Sequence, residues 1–221
     1  MIKPSKVFEV YTDYRKRLYT VNLIPGSKVY DEKLVNEKGI EYREWNARKS
    51  KLAASILKGC NNIFIRKNDV VLYLGCSYGT TPSHVADIVG EGGFVFALDF
   101  APRVMRDMVF VAEERQNIAP ILGDANQPLS YVDKVSSVDV VYQDIAQRNQ
   151  VDIFIKNVNM FLKNDGYALL ALKARSIDVT RKPKGIFGEV KEALSKELVI
   201  IDSKDLDPYE KDHMMFICKK K

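Results

Sequence analysis

The sequence predicts an α/β fold: a doubly wound, mainly parallel sheet preceded by a small β-rich unit. Three observations carry that expectation. Residues 69–81, DVVLYLGCSYGTT, run an unbroken apolar stretch into a glycine-bearing turn that opens a helix, as a central parallel strand covered on both faces does. From Asp69 onward, strand-like and helix-like segments alternate, the pattern of a doubly wound sheet. Before Asp69, residues 7–45 fall into short strand-like pieces separated by polar breaks such as Thr12-Asp13 and Pro25-Gly26-Ser27, which suits a small antiparallel unit. The boundary is placed between residues 48 and 49, giving units 1–48 and 49–221.

In chain order, the first unit is expected to hold strands at Val7–Tyr11, Leu18–Leu23, Lys28–Tyr30 and Ile40–Glu44. Ser50–Leu57 is rich in alanine and leucine and ends near Gly59, so a helix is expected there. Seven strands follow: Val70–Leu74, Phe94–Asp99, Ala119–Leu122, Val138–Tyr142, Tyr167–Lys173, Leu198–Asp205 and His213–Cys218. Four helices are expected between them, at Thr81–Val89, Arg103–Asn117, Gln150–Leu162 and Lys184–Lys196. Thr80 or Thr81 suits the cap of the first of these, with Pro82 in its opening turn. No internal repeat or low-complexity tract interrupts the chain.

Composition narrows the class. The 221 residues are 46% hydrophobic and 29% charged, with the charges mixed, which suits a folded chain with one sizeable core rather than disorder. No apolar run approaches the roughly 18 residues of a membrane span, and the N-terminus, MIKPSKVFEV, lacks a signal-peptide core. An intracellular, cytoplasmic protein is expected, with no membrane partner. Three widely spaced cysteines and two histidines make neither a disulfide framework nor a metal centre. Residues 1–60 carry 13 Lys and Arg against 7 Asp and Glu, while the rest carry 21 against 22. The basic excess sits at the front of the chain, where it points to an anionic partner or simply to a basic surface.

The glycine turn narrows the ligand. It lacks the lysine of a phosphate loop and the G-x-G-x-x-G of a dinucleotide site, offering G-x-x-x-G and threonine instead. The next strand, GFVFALD, ends on Asp99, at the distance of about 20 residues where an acid takes ribose hydroxyls. A glycine turn and an acid without a diphosphate signature favour adenosine carried on something else, and S-adenosylmethionine fits. A structural strand–helix turn beside a surface aspartate reads the same residues. Further polar residues fall at expected strand ends, where such sheets place their sites: Gly123-Asp124-Ala125, Gln143 to Gln147 and Lys173 to Ser176 follow their strands, and Glu210 to His213 precedes the last. Asp124 can accept from an adenine amino group. Asp144 and Lys173, on adjacent parallel strands, can together activate a hydroxyl, the lysine desolvated and the acid balancing it.

With these residues assembled, the chain resembles the fibrillarin family, the S-adenosylmethionine-dependent RNA 2′-O-methyltransferases of box C/D ribonucleoprotein particles. The matching segments are NLIPGSKVY (Asn22–Tyr30), EYREWNARKSKLAA (Glu41–Ala54), VLYLGCSYGTTPSHVADIVG (Val71–Gly90), PRVMRDM (Pro102–Met108), VVYQDIAQ (Val140–Gln147), ALKARSIDVT (Ala171–Thr180) and DPYEKDH (Asp207–His213). The glycine/arginine-rich extension of eukaryotic members is absent, so the chain resembles the compact archaeal form. The resemblance implies a Rossmann-like seven-stranded methyltransferase sheet, its last strand antiparallel, with a small N-terminal β-rich domain.

It also implies a site. Gly75, Ser77, Gly79, Thr80 and Thr81 would line the methionine and ribose end of the cofactor, Asp99 would hold the ribose hydroxyls, and Phe100 would pack on adenine. Asp124 and Ala125 would bound the adenine, with Asp144 and Gln147 beside the methionine. The catalytic set would fall on Lys51, Asp144, Lys173 and His213, and no metal is implied. Family partners would be a box C/D guide RNA and substrate RNA, a Nop-domain scaffold protein and a kink-turn-binding protein. Arg48, Lys49, Arg103, Arg106, Arg175 and Arg181 are candidates for the RNA path, or else solvated or scaffold-facing charges. Two other readings are a protein glutamine methyltransferase, an activity associated with some eukaryotic members, and a non-catalytic structural subunit. The chain departs from the family pattern at Cys76-Ser77, at Tyr78 in place of a small serine, at Asp99 in place of glutamate, and at Ala47 in place of a common proline.

Overall fold

The computed structural model describes residues 1–221. Its elements, in chain order, begin with β1 (Lys3–Pro4), β2 (Tyr11–Thr12), β3 (Leu18–Val21), β4 (Leu34–Glu37) and β5 (Ile40–Trp45). Next come α1 (Lys51–Leu57), β6 (Val70–Leu74), α2 (Thr80–Val89), β7 (Phe94–Asp99), α3 (Pro102–Glu114) and β8 (Ile118–Leu122). A 3₁₀ turn at Pro128–Tyr131 leads to β9 (Val138–Gln143), α4 (Gln150–Phe161), β10 (Leu162–Lys173) and the one-turn α5 (Ala174–Ile177). The chain closes with α6 (Pro183–Glu197), β11 (Leu198–Asp205) and β12 (His213–Lys220). No helix is long and apolar enough to cross a membrane.

The seven-stranded sheet has the order β11-β12-β10-β9-β6-β7-β8. β6 to β10 pair in parallel, and β12 runs antiparallel between β10 and β11, so the expected antiparallel last strand is present. The chain order reverses at β6, whose neighbours are β7 and β9; a crevice opens at such a switch point beyond the strand carboxyl ends. Strand alternation feeds two cores. Val71 and Tyr73 pack toward α1, α2 and α3, while Leu72 and Leu74 pack toward α4 and α6. The long apolar run of β6 is what a strand covered on both faces requires.

The N-terminal sheet has the order β1-β2-β3-β5-β4 and is antiparallel throughout. Val7, Val10, Leu18 and Trp45 join the core on the α1–α3 side of the large sheet. Beneath that contact lies a buried charge network. Arg43 donates to Glu32 at 2.7 Å and to Asp87 at 2.8 Å, and Arg115 reaches Asp87 at 3.3 Å, all four side chains fully buried. Thr20 Oγ1 donates to Asp87 at 2.8 Å. Beside it His84 lies between the Thr20 and Tyr30 hydroxyls, 2.8 Å from each, stacked on Trp45.

Three local expectations give way here. Residues 7–10 are not strand; Ser5 and Val10 instead close a turn by backbone hydrogen bonds. Residues 28–30 are likewise not strand, because the Val29 and Tyr30 N–H groups turn inward to donate to the buried Glu32 carboxylate at 2.9 and 2.8 Å. The missing strand is β4, whose half-exposed LVNE carries little alternation. Neither Thr80 nor Thr81 caps α2. Gly79 does, with φ +85° and no side-chain cap bond, so both threonines fall within the first turn and Pro82 follows them.

Candidate active site

The cleft at the switch point has a volume of about 340 Å³ and is lined by the turn after β6, the ends of β7 and β8, and the segment after β9. Eight of the eleven expected cofactor residues line it: Gly75, Ser77, Asp99, Phe100, Asp124, Ala125, Asp144 and Gln147. Gly75 makes the entrance possible. Its φ is +82°, and a Cβ there would overlap the Asp144 carbonyl oxygen, so only glycine lets the β6 turn pass under the β9 segment. The crossing is held by Asp144 N–H donating to Leu74 C=O at 2.9 Å and by Gly75 N–H donating to Leu98 C=O at 2.8 Å.

Asp99 accepts the Ser77 and Ala101 N–H groups, one on each oxygen, at 3.1 Å. Each carboxylate oxygen retains lone-pair capacity toward the cleft, and the shorter side chain therefore still reaches it. Phe100 presents a face that is 64% exposed, an apolar surface on which a base can stack. Asp124 accepts only the Asn126 N–H, at 2.9 Å on Oδ1, leaving Oδ2 for a donor at that end.

Gly79, Thr80 and Thr81 lie outside the lining. Gly79 sits where α3 passes closest, a Cβ there falling 3.1 Å from Met108 Sδ. Thr81 is buried and its Oγ1 donates to Ser50 Oγ at 2.9 Å, behind the start of α1. Tyr78 is half exposed and faces a groove with Lys28, Val29, Asp107 and Phe110, so its bulk stays out of the cleft.

Of the four expected catalytic residues, Asp144 alone lines the cleft; Lys51 contacts it from behind, and Lys173 and His213 sit at the adjoining strand ends outside the lining. Lys51, the first residue of α1, places Nζ 3.0 Å from both oxygens of Asp144. Ser50 caps α1 by accepting the Ala53 N–H, which fixes where Lys51 leaves the helix. The cationic partner of Asp144 is thus Lys51, not the expected Lys173. Lys173 and His213 are cross-strand neighbours at the ends of β10 and β12. Lys173 is half-buried, and its ammonium makes no ion pair or hydrogen bond within the chain. His213 donates Nδ1–H to the Lys211 carbonyl at 2.7 Å, leaving Nε2 as the acceptor. Burial holds its pKa below the ordinary value, with the Lys51 charge acting in the same direction.

Among the other lining residues, Leu98 was read only as strand, and Gly123, Ile145 and Ala146 only as parts of strand-end segments with no contact assigned; Gln143 opened one of those segments and Gln150 was read only as a helix start. Both glutamines are fully buried. The available signal was a pair of amides at the end of an apolar strand and the start of an apolar-faced helix, positions where an unpaired amide is costly.

The fibrillarin family model matches residues 2–221. The chain belongs to the fibrillarin family. A fibrillarin-like rRNA/tRNA 2′-O-methyltransferase of Methanocaldococcus jannaschii is 51% identical over 98% of this chain and 96% of its own length. The crystal structure of Aeropyrum pernix fibrillarin in complex with natively bound S-adenosyl-L-methionine superposes with a TM-score of 0.90 at 43% identity, covering 99% of this chain and 97% of that one. The structure of a fibrillarin/Nop5p complex superposes with a TM-score of 0.89 at 37% identity, covering 97% of this chain and 99% of that one.

Proposed function

We propose that the chain is an S-adenosylmethionine-dependent RNA 2′-O-methyltransferase acting on rRNA and tRNA, the catalytic subunit of a box C/D ribonucleoprotein. The observation that carries this is the Asp144 carboxylate, paired with Lys51, on the wall of a cleft whose other residues suit an adenosine, with Lys173 and His213 paired across the adjoining strand ends. In this reading residues 1–48 form a docking unit and 49–221 the methyltransferase domain. The cofactor would lie with its ribose against Asp99, its adenine between Phe100 and the Asp124-Ala125 corner, and its methionine toward Gly75, Ser77, Asp144 and Gln147. When bound, it supplies an electrophilic methyl on a sulfonium, a leaving group that needs no metal.

The chain's own residues then do three things. The cleft walls fix the approach line, so that much of the rate comes from orientation. Lys51, 3.0 Å from both oxygens, orients the Asp144 carboxylate on the cleft wall. Lys173, free of internal partners, holds the incoming ribose 2′-oxygen while its proton leaves toward Asp144. His213, neutral and with Nε2 unprotonated, bounds the site without adding charge.

The A. pernix relative holds S-adenosylmethionine and another relative is complexed with Nop5p, which supports the same cofactor and a Nop-domain scaffold here. A guide RNA and a kink-turn-binding protein complete the proposed particle and choose the target, since the chain carries no zinc-finger or RNP base-reading signature. The test is reconstitution with a defined guide and two target RNAs, one with a 2′-deoxy nucleotide at the selected position. Mass spectrometry should find one added methyl on the ribose target and none on the deoxy target. Methyl on both, or on glutamine of a protein substrate only, would overturn the assignment.

A further inference from the structure

β10 runs past the end of its parallel neighbour. Its register with β9 stops at Leu170 against Gln143, whereas its register with β12 continues to Lys173 against His213. The last residues of β10 have lost their strand partner on the β9 side, and buried backbone groups there need another. Gln150, the first residue of α4 and fully buried, takes that place for Lys173. Its Oε1 accepts the Lys173 N–H at 3.0 Å, and its Nε2 donates to the Lys173 carbonyl at 3.0 Å. A side-chain amide has a second N–H, and this one goes to the Gln147 carbonyl at 2.9 Å. Gln147 belongs to the cleft wall. Gln150 is itself anchored, its backbone carbonyl accepting from Nε2 of Gln143, the last residue of β9, at 2.6 Å.

We propose that Gln150 is a positioning residue for methyl transfer. One side-chain amide fixes the backbone of Lys173 to the Gln147 segment, so that the lysine and the cofactor cleft keep a constant relation. The inference rests on the methyltransferase reading above. It explains why the position holds a glutamine. Leucine fills the same space but bonds neither group, asparagine is one methylene too short to span them, and glutamate would set one oxygen, in place of Nε2, against both carbonyls. A misplacement of about 1 Å at a reacting group costs on the order of 10²-fold in rate, so a small loosening should show in turnover before it shows in binding.

The test compares reconstituted particles carrying the unchanged chain, Gln150→Leu and Gln150→Glu. Single-turnover methylation at saturating cofactor is measured beside the cofactor Kd by calorimetry and Tm by calorimetric scanning. The expected result is a rate at least about 10-fold lower in each variant that is folded at the assay temperature, with Kd within about threefold. A purely structural role would lower Tm and leave the rate per folded molecule unchanged; a rate within about twofold of the unchanged chain overturns the proposal. If neither variant folds, amide exchange on the unchanged chain decides. Saturating cofactor should slow exchange at Lys173 at least about fivefold through Gln147 and Gln150, and unaltered exchange refutes the link. An unchanged particle that places no methyl on ribose refutes the underlying reading and this inference with it, an outcome distinct from a silent substitution in an active particle.

Discussion

Asp144 shows how much of the chemistry depends on single side chains. Its carboxylate has one cationic partner, Lys51, and the pair is about one-fifth exposed. A pair at that depth adds little to stability, about 1 kcal/mol or less, but it sets the charge of the site. Lys51→Met should therefore slow methylation by about 10²-fold, a typical acid–base contribution, while moving the unfolding free energy by only about 1 kcal/mol; quench-flow rates and urea titrations measure the two. The role of Lys51 was implied by resemblance and not by its spacing, because nothing in SKLAASIL says which strand end the helix start will face. Asp144 was legible as a cleft residue, since an acid just past a buried parallel strand falls where such sheets bind, whereas the expected pairing of Asp144 with Lys173 gives way to Lys51. Histidine protonation belongs to the same scale. Burial holds His84 well below its ordinary pKa of 6.5, and the Arg43 and Arg115 charges act the same way. The unfolded chain then binds the proton that the folded chain refuses, so stability present above about pH 6.5 is lost as pH falls below it. The slope approaches about 1.4 kcal/mol per pH unit for this one group. Tm should fall between pH 7 and pH 5, and His84→Gln should flatten that slope; an equal slope in the variant would contradict the assignment.

The glycine turn is the element on which the site is built. Gly75 combines a positive φ with direct passage beneath the Asp144 carbonyl. Gly75→Ala should cost about 3 kcal/mol or more, strain and displacement together, and should weaken cofactor binding beyond calorimetric detection. Urea denaturation and titration check both. Strands of the large sheet were legible because parallel strands buried on both faces read as apolar runs, and β6 is the clearest of them. The small sheet was less so. Lys28–Tyr30 has strand-like composition, but its N–H groups serve the Glu32 carboxylate, a long-range demand that no local pattern records. β4 has too few buried positions to show alternation. The cap of α2 was misplaced because threonine at a helix start is a good cap by propensity, whereas this turn needs a left-handed residue and only Gly79 supplies one without strain.

Across the whole molecule, the two sheets are joined by apolar packing around a sealed set of charges. Arg43 from the small sheet satisfies Glu32 and Asp87 together, and Arg115 approaches Asp87 from the far side. Removing one member strands the others in a low-dielectric interior. Arg43→Met should cost about 3–5 kcal/mol, seen as a lower urea midpoint, and the loss should exceed that of any exposed arginine such as Arg103. None of this network was legible, since a buried arginine has the same letter as a solvated one. The basic excess of the N-terminal unit was visible in composition, and Arg43 shows that part of it is spent inward. The overall architecture was accessible because alternation of elements, the glycine turn and the strand-end acids all point to one fold.

In the proposed reaction Lys173 acts at the reacting oxygen and plays no part in holding the cofactor. The most direct test is Lys173→Ala in the reconstituted particle, with S-adenosylmethionine affinity and methylation of the target ribose measured on the same preparation. The expected result is a Kd changed by less than about threefold with methylation lowered by at least about 10²-fold; turnover at the unchanged rate would contradict the role of Lys173.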